Sequence, residues 1–380
     1  MNDRKEERPI RVAHVIGKLN AAGVEAVINN YYRNLDRSKY QFDFYIDADG
    51  TCNPQQELIE MGARYFVVPP YQKLFQHVSK LIELFHKNGY LIVHSSMNTL
   101  APISLFCAWR AGVPIRINHN HSTAGKGERK KNILKYLLRP FSKCFATHFA
   151  ACSRYAGEWL FGRKMVASGK VRILNNAIDV DRFQYNENVR ARVRASFGLE
   201  GHFVIGHVGR FCYQKNQEKL IEIFRAVYDA DQSARLMLVG IGEDEERIRE
   251  MARELGLEKQ VLFLGARNDV NELYQAMDVF VFPSRYEGLG LAAIEAQTAG
   301  LPCVLSTRLP VDASIISETE MLDLEESVQT WTATVFRKKG CIRRDTSAEI
   351  AMHGFDIRNE AKVLEEFYDN AIKKTGTRIK

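Results

Sequence analysis

Short apolar runs recur along this chain, and each is followed by a longer stretch with helical spacing. In the first half the runs are 11–16 (RVAHVI), 42–46 (FDFYI), 65–68 (YFVV), 91–94 (LIVH), 114–118 (PIRIN), 148–152 (HFAAC) and 171–174 (VRIL). Stretches 25–35 (EAVINNYYRNL) and 77–89 (HVSKLIELFHKNG) read as helices between them. After residue 203 the alternation resumes with strands at 203–209, 234–240, 261–265, 278–282 and 302–306, and helices at 218–230 and 244–256. Strands that are apolar throughout, separated by amphipathic helices, predict parallel sheets covered on both faces. Two such series predict two Rossmann-like halves. The polar stretch 175–203 separates them. The expected division is 1–180, 181–355 and a closing helical segment, 356–380, with apolar positions at Ala361, Leu364, Phe367, Tyr368 and Ala371. At 380 residues, two domains also match the length.

Composition adds little except by exclusion. The chain is 46% hydrophobic and 26% charged, as in a soluble globular protein. No apolar run approaches the ~20 residues that cross a bilayer. The seven cysteines are scattered without a CxxC pair, which points to reduced thiols in the cytoplasm and away from zinc. Charge is uneven. Residues 1–180 hold 26 Lys and Arg against 14 Asp and Glu, and the remainder holds 27 against 32. A basic first half suits an anionic partner such as a membrane surface or a phosphate-bearing acceptor. Residues 126–145 (KGERKKNILKYLLRPFSKCF) concentrate that charge. Ile133, Leu137, Phe141 and Phe145 recur at spacings of four, so the segment reads either as a helix on an anionic membrane or as a core-facing helix with a solvated basic side. No motif beyond charge points to nucleic acid.

The densest chemistry lies at 283–302 (PSRYEGLGLAAIEAQTAGLP). A strand runs in and a helix runs out, placing Glu287 on the connecting loop and Glu295 about two turns into the helix. Gly288 and Gly290 let a ligand approach the backbone, and the helix start favours an anion such as a diphosphate. Two carboxylates can each hold a pair of vicinal hydroxyls, as a sugar nucleotide offers. The turn at 209–216 carries Arg210 and Lys215 beside a second helix start, which also suits a diphosphate. Gly240 and Gly242 begin a dinucleotide fingerprint that fails at Glu245, so this loop reads as an ordinary turn and counts against a nicotinamide cofactor. Arg267, on the loop after the strand at 261–265, offers a guanidinium to a base or simply caps a turn. In the first half Gly23 and Glu25 open a helix, and His119 and His121 end a strand on one face.

Together these residues resemble glycosyltransferase family 4, retaining enzymes of the GT-B fold, and within it the type that builds exopolysaccharide and capsule. EGLGLAAIE resembles the family's E-x7-E motif, GRFCYQKN its Arg–Lys diphosphate site, and LNNAIDVDRF its hinge, with Asn176 and Ala177 in place of the usual Asn-Gly. The glycine loop keeps one glycine, in Ala22-Gly23-Val24-Glu25. SRYAGEWLFG, LPCVLS and the closing GFDI…LEEFY resemble the exopolysaccharide type. The resemblance implies α/β domains facing a central cleft, a hinge between them, and a last helix crossing back to the first domain. It implies that Glu295 holds the ribose, that Glu287 contacts the donor sugar, and that the amides of Gly288, Leu289, Gly290 and Leu291 cap sugar and phosphate. Arg210 and Lys215 would neutralise the leaving diphosphate, so that no metal or other cofactor is required. Either His119 or His121 would be the first-domain histidine at the reaction centre. The partners implied are a nucleotide sugar, a UDP-sugar above all, and a lipid-diphosphate-linked or polysaccharide acceptor. The place implied is the cytoplasm or the inner face of its membrane. A UDP-sugar epimerase or hydrolase of the same fold, and a non-catalytic sugar-nucleotide-binding subunit, are the competing readings.

Overall fold

The computed structural model describes residues 8–19, 23–122 and 129–376, with only the backbone described at 129–132. The chain forms two compact units. One comprises residues up to Ile178 together with those from Asp356 onward; the other runs from Asp179 to Phe355.

The first unit is built on a seven-stranded parallel sheet: β1 Ile10–Gly17, β2 Tyr40–Asp47, β3 Arg64–Val68, β4 Ile92–Ser95, β5 Ile115–Asn120, β6 His148–Ala151 and β7 Val171–Ile173. Their order is β3-β2-β1-β4-β5-β6-β7. The second unit has β8 Phe203–Val208, β9 Ala234–Val239, β10 Val261–Phe263, β11 Val279–Phe282, β12 Cys303–Ser306 and β13 Thr319–Leu322, in the order β10-β9-β8-β11-β12-β13. Every strand pairing is parallel. Both sheets therefore reverse direction beside their first strand, next to β4 in one and next to β11 in the other. Ligands of such sheets bind at the carboxyl ends of the strands flanking that reversal.

Packing explains why the runs become strands. Helices on both faces bury β8, β9, β11 and β12 almost completely, and Leu220, Phe224, Leu236, Leu238, Val281 and Trp331 share one core. In the first unit Tyr45, Leu81, Phe85, Val93 and Leu105 do the same. The chain leaves the first unit at Ile178 and re-enters at Asp356, and these two residues form a parallel bridge, with the Ile357 amide donating to the Ile178 carbonyl at 3.0 Å. Asp356 caps the last helix, Ile357–Thr375, by accepting from the Arg358 amide. That helix buries Ala361, Leu364, Tyr368 and Ala371 within the first unit. Among the described residues no helix is long and apolar enough to cross a membrane.

A candidate donor site and a buried histidine cluster

In the second unit, the loops after β8 and β11 meet side by side. Lys215 Nζ lies 2.7 Å from Glu287 Oε1, and the Gln214 amide donates to Glu287 Oε2 at 3.0 Å, so both oxygens of the carboxylate are held. The Glu287 side chain is only 6% exposed. Lys215 also sits 4.6 Å from the centre of the Phe282 ring, on the strand leading into the glutamate loop. Two further ties lock the loops together. Asn216, in a left-handed conformation at φ 56°, donates to the Pro283 carbonyl, and the Arg285 amide donates to the Gln214 carbonyl.

The helix after the glutamate loop starts later than the residue pattern suggests. It spans Leu291–Thr298, with Gly290 at its cap at φ 84°. A Cβ at Gly290 would come within 3.0 Å of Leu309 and 3.4 Å of Phe282, besides adopting a backbone conformation unfavourable to L side chains. Glu295 is consequently in the second turn rather than two turns in. It is part-buried and accepts from the Tyr274 hydroxyl at 3.0 Å. Burial pushes its pKa up to about 7, against the opposing pull of Tyr274, Arg182 and Lys215. The Ala293 amide donates to the Gly290 carbonyl at 2.8 Å; the amides before it at the helix start have no helix carbonyl four residues back, and the dipole there favours an anion. Gly288, Leu289 and Leu291 bring their backbone to this same helix start, where the Leu289 side chain is buried.

Arg210 is different in character. Its side chain is 69% exposed and pairs with Glu243 at 2.8 Å. An exposed pair of this kind is worth ~0–1 kcal/mol, so an arriving diphosphate can displace it. The segment 240–244 is a turn between β9 and the helix Glu245–Glu254, and its glycines have a packing reason. A Cβ at Gly240 would meet the Gly209 carbonyl oxygen at 2.2 Å, and one at Gly242 would meet that of Phe211 at 2.1 Å. The two glycines let the Arg210 loop lie against its neighbour, where the Phe211 amide donates to the Ile241 carbonyl. Arg267, by contrast, is not brought to this cluster. It forms a bidentate pair with Asp269, two residues away, at the turn after β10, the edge strand.

The first unit holds the two candidate histidines in a cluster that the sequence did not reveal. His119 and His121 lie on one face, with ring centres 3.9 Å apart, and both are buried. His14 of β1, His94 of β4 and Tyr368 of the last helix complete the group. The Tyr368 hydroxyl lies 3.0 Å from His14 Nε2 and 2.8 Å from His94 Nδ1, and His94 Nε2 lies 3.1 Å from His119 Nδ1. His121 contacts Asn176 at 3.4 Å and Ser96 at 3.3 Å. A cavity of about 10 Å³ is lined by all four histidines together with Tyr31, Leu174 and Leu364. Burial holds His14, His94 and His119 well below the ordinary histidine pKa, and the neighbouring histidines push the same way; burial lowers His121 to about 4. Gly23 begins the helix Gly23–Asn34, and a Cβ there would meet nothing within 4 Å, so packing does not demand a glycine. The rest of its loop, 20–22, lies outside the described residues.

The basic segment forms a helix, Arg129–Leu138, and then a 3-10 turn, Arg139–Lys143, at the break imposed by Pro140. Its apolar residues do not enter the core: Ile133, Leu134, Tyr136, Leu137 and Phe141 are exposed, Leu137 by 64%. Lys126 and the side chains of Arg129, Lys130 and Lys131 lie outside the described residues. Among the described residues no group of three or more His, Cys, Asp or Glu could hold a metal ion.

Comparison with known proteins matches this arrangement to one family. Residues 21–182 match the family described as Glycosyltransferase Family 4, and residues 189–323 match Glycosyl transferases group 1. EpsF of Bacillus subtilis (strain 168), a protein assigned as a glycosyltransferase, is 33% identical over 97% of this chain and 98% of its own. The Escherichia coli UDP-Gal:alpha-D-GlcNAc-diphosphoundecaprenol alpha-1,3-galactosyltransferase is 27% identical, covering 94% and 96%. The capsular polysaccharide biosynthesis glycosyltransferase CapH of Staphylococcus aureus is 24% identical, covering 94% and 98%. Among solved structures, Anabaena HepE in complex with UDP and glucose superposes with a TM-score of 0.79 at 19% identity, covering 95% of this chain and 100% of that one. With two parallel-sheet Rossmann-like units and relatives matched along nearly its whole length, the chain belongs to the family 4 glycosyltransferases and has their GT-B fold.

Proposed function

We propose that this glycosyltransferase moves a sugar, with retention, from a UDP-sugar to a lipid-diphosphate-linked or polysaccharide acceptor in exopolysaccharide or capsule assembly. The observation that carries the reading is the Lys215–Glu287 pair, with Gln214 on the second carboxylate oxygen, beside the helix start at Leu291. A diphosphate is the ligand able to draw Lys215 away, and a sugar hydroxyl is the ligand able to replace it on Glu287. Glu295 then accepts the ribose hydroxyls, and Arg210 releases Glu243 for the phosphate. HepE, solved with UDP and glucose, and the E. coli galactosyltransferase, named for a UDP-galactose donor and a diphosphoundecaprenol acceptor, support the same choice of donor and acceptor.

The chemistry this arrangement supports needs no covalent intermediate. The bond between the anomeric carbon and the phosphate oxygen breaks, and the acceptor oxygen bonds to that carbon on the face just vacated. The acceptor's proton passes to the departing phosphate oxygen. Lys215, Arg210 and the helix amides bear the charge that develops on the diphosphate, the role a metal ion has in other transferases. His119 or His121 would contact the reacting sugar or the acceptor.

The test is mass spectrometry of lipid-diphosphate acceptors after incubation with a panel of UDP- and GDP-sugars. A mass gain of one sugar, with the donor's anomeric configuration kept by NMR, is the expected result. Free or epimerised sugar with no gain on any acceptor would show a hydrolase or epimerase, and nucleotide binding without turnover would show a binding subunit.

The exposed apolar face of Arg129–Lys143 lies among Lys135, Arg139 and Lys143, and this combination supports docking on an anionic membrane, where each basic residue contributes roughly 1 kcal/mol. Replacing Leu134, Leu137 and Phe141 with Ser should reduce sedimentation with phosphatidylglycerol liposomes several-fold and leave activity on a short soluble acceptor intact. Undiminished sedimentation would remove the membrane from this account.

A further inference from the structure

We propose that Tyr368 is a positioning residue that sets which ring nitrogen of His119 carries the proton, so that His119 presents its Nε2–H to the cavity. The proposal rests on the reading of His119 as a residue of the reaction site, and it lies wholly within the first unit.

The argument is one of donors and acceptors. A tyrosine hydroxyl has a single proton, and each neutral histidine has one N–H and one bare nitrogen. The contacts form an unbroken chain from His14 Nε2 through the Tyr368 hydroxyl to His94 Nδ1, and from His94 Nε2 to His119 Nδ1. Only two assignments satisfy every link and also give the hydroxyl proton of Tyr368 an acceptor. In one, His14 donates to the Tyr368 oxygen, Tyr368 donates to His94 Nδ1, and His94 Nε2–H donates to His119 Nδ1, leaving the proton of His119 on Nε2. In the other, all the bonds run backward, and His119 Nε2 is bare. Any mixture puts two N–H groups or two lone pairs face to face, or has the Tyr368 oxygen accept from both His14 and His94, which strands the buried hydroxyl proton.

The distances are ordered as the first assignment requires. Hydroxyl donors make shorter bonds than ring N–H donors. The hydroxyl lies 2.8 Å from His94 and 3.0 Å from His14, the pattern expected when it donates to His94 and accepts from His14. Burial enforces neutrality: all four histidines and Tyr368 are at most 5% exposed. No Lys, Arg, Asp or Glu is among the described residues lining the cavity; Glu360, on the same helix, faces Tyr31 and the Asn175 amide instead. Among the described residues His119 Nε2 is buried with no partner, beside a cavity with room for about one water or one ligand hydroxyl. His121 lies outside the chain, because its proton is fixed locally by an acceptor, Asn176 Oδ1, and by the Ser96 hydroxyl. Two adjacent histidines thus answer to different parts of the structure, and only His119 answers to the last helix.

The experiment is two-bond 1H–15N NMR on the full-length protein labelled in histidine, with His119→Gln used to assign the signals. Wild-type His119 should be the Nε2–H tautomer; finding it as Nδ1–H overturns the proposal without any variant. In Tyr368→Phe, which keeps the ring and removes the proton, His119 should shift by at least half toward Nδ1–H, and kcat should fall about tenfold with the donor KM unchanged. An unshifted His119 in this variant also overturns the proposal. His14→Leu is the control: the hydroxyl still donates to His94, so His119 should stay Nε2–H, and a shift there would show that the tyrosine proton does not set the tautomer, which overturns the proposal. A shifted tautomer in Tyr368→Phe with full turnover upholds the chain and removes His119 from the reaction site.

Discussion

Lys215 and Glu287 in the second unit are opposite charges 2.7 Å apart, on loops at the carboxyl ends of β8 and β11. The equivalent region of the first unit, around β1, β4 and β5, holds four neutral histidines and a tyrosine, with no carboxylate among the described cavity residues. Both groups stand beside the strand-order reversal of their sheets. The difference shows what each can do. An ion pair can be exchanged for a ligand of higher charge, and a diphosphate is such a ligand. A buried neutral network cannot receive a charge cheaply; it can only direct hydrogen bonds. The second unit is therefore suited to take the charged half of a sugar nucleotide, and the first to orient hydroxyl groups.

The sharpest way to break this contrast is to remove the exchangeable charge. Lys215→Met should lower kcat/KM by about 10²–10³, the loss typical of one group that stabilises developing charge. Glu287→Ala should mainly slow transfer, and Glu295→Ala should mainly weaken nucleotide binding, each by ~2–4 kcal/mol. Calorimetry with UDP, alongside turnover assays, separates the two. Wild-type behaviour in Lys215→Met would leave the pair as mere loop packing.

The neutral side of the comparison is tested by acid. His14, His94, His119 and His121 all have pKa values depressed by burial, so below about pH 6.5 the unfolded chain binds protons that the native cluster refuses. Their contribution to stability is full above that pH and is lost as pH falls, by up to about 1.4 kcal/mol per histidine per pH unit. Thermal unfolding followed between pH 7 and 5 should show the loss, and His14→Leu should make it shallower. An unchanged slope in that variant would mean the cluster is already open to water.

These two regions were not equally legible in the sequence. Glu287, Glu295, Arg210 and Lys215 could be read because each follows an apolar run that became a strand, and loops after strands are where such sheets bind. The strands themselves were read to within a residue or two, except β13, whose Thr319–Leu322 mixes polar and apolar residues and pairs only with β12. The histidine cluster was half visible. His119 and His121 are two apart on one strand, whereas His14 and Tyr368 are separated by 354 residues and meet only through the return of the last helix. Tyr274 escaped for the same reason: its bond to Glu295 joins two helices. Gly240 and Gly242 were read as an ordinary turn; what the sequence could not show is that both lie against the backbone of the Arg210 loop.

A subtler effect belongs to Glu295, a donor-site carboxylate pushed toward neutrality by burial. With its pKa at about 7, ionisation costs the ligand-free protein stability as pH rises from about 4.5 to about 7. Ribose hydroxyls donate to the ionised form, so UDP affinity should fall below pH 7, by up to tenfold per unit. Tyr274→Phe removes a donor that favours ionisation and should move the midpoint upward. Titration calorimetry from pH 6 to 8.5 gives both curves; pH-independent affinity in the wild type would exclude Glu295 from the ribose.

The smallest expected effect is none at all, under chelation. If a diphosphate is met by Lys215, by Arg210 and by the amides at the Leu291 helix start, those groups supply positive charge without a metal. Glu287 is already held on both oxygens, and Glu295 by Tyr274, so neither is set up as a metal ligand in the ligand-free protein. Turnover in excess EDTA should equal that in magnesium or manganese within twofold. The informative comparison is with Lys215→Met. There, divalent ions could partly replace the missing cation and raise the rate, and the same ions should leave the wild type unchanged. A chelated wild type that is inactive and recovers with manganese would put the exchangeable charge on a metal instead, and Lys215 would then serve only to hold Glu287.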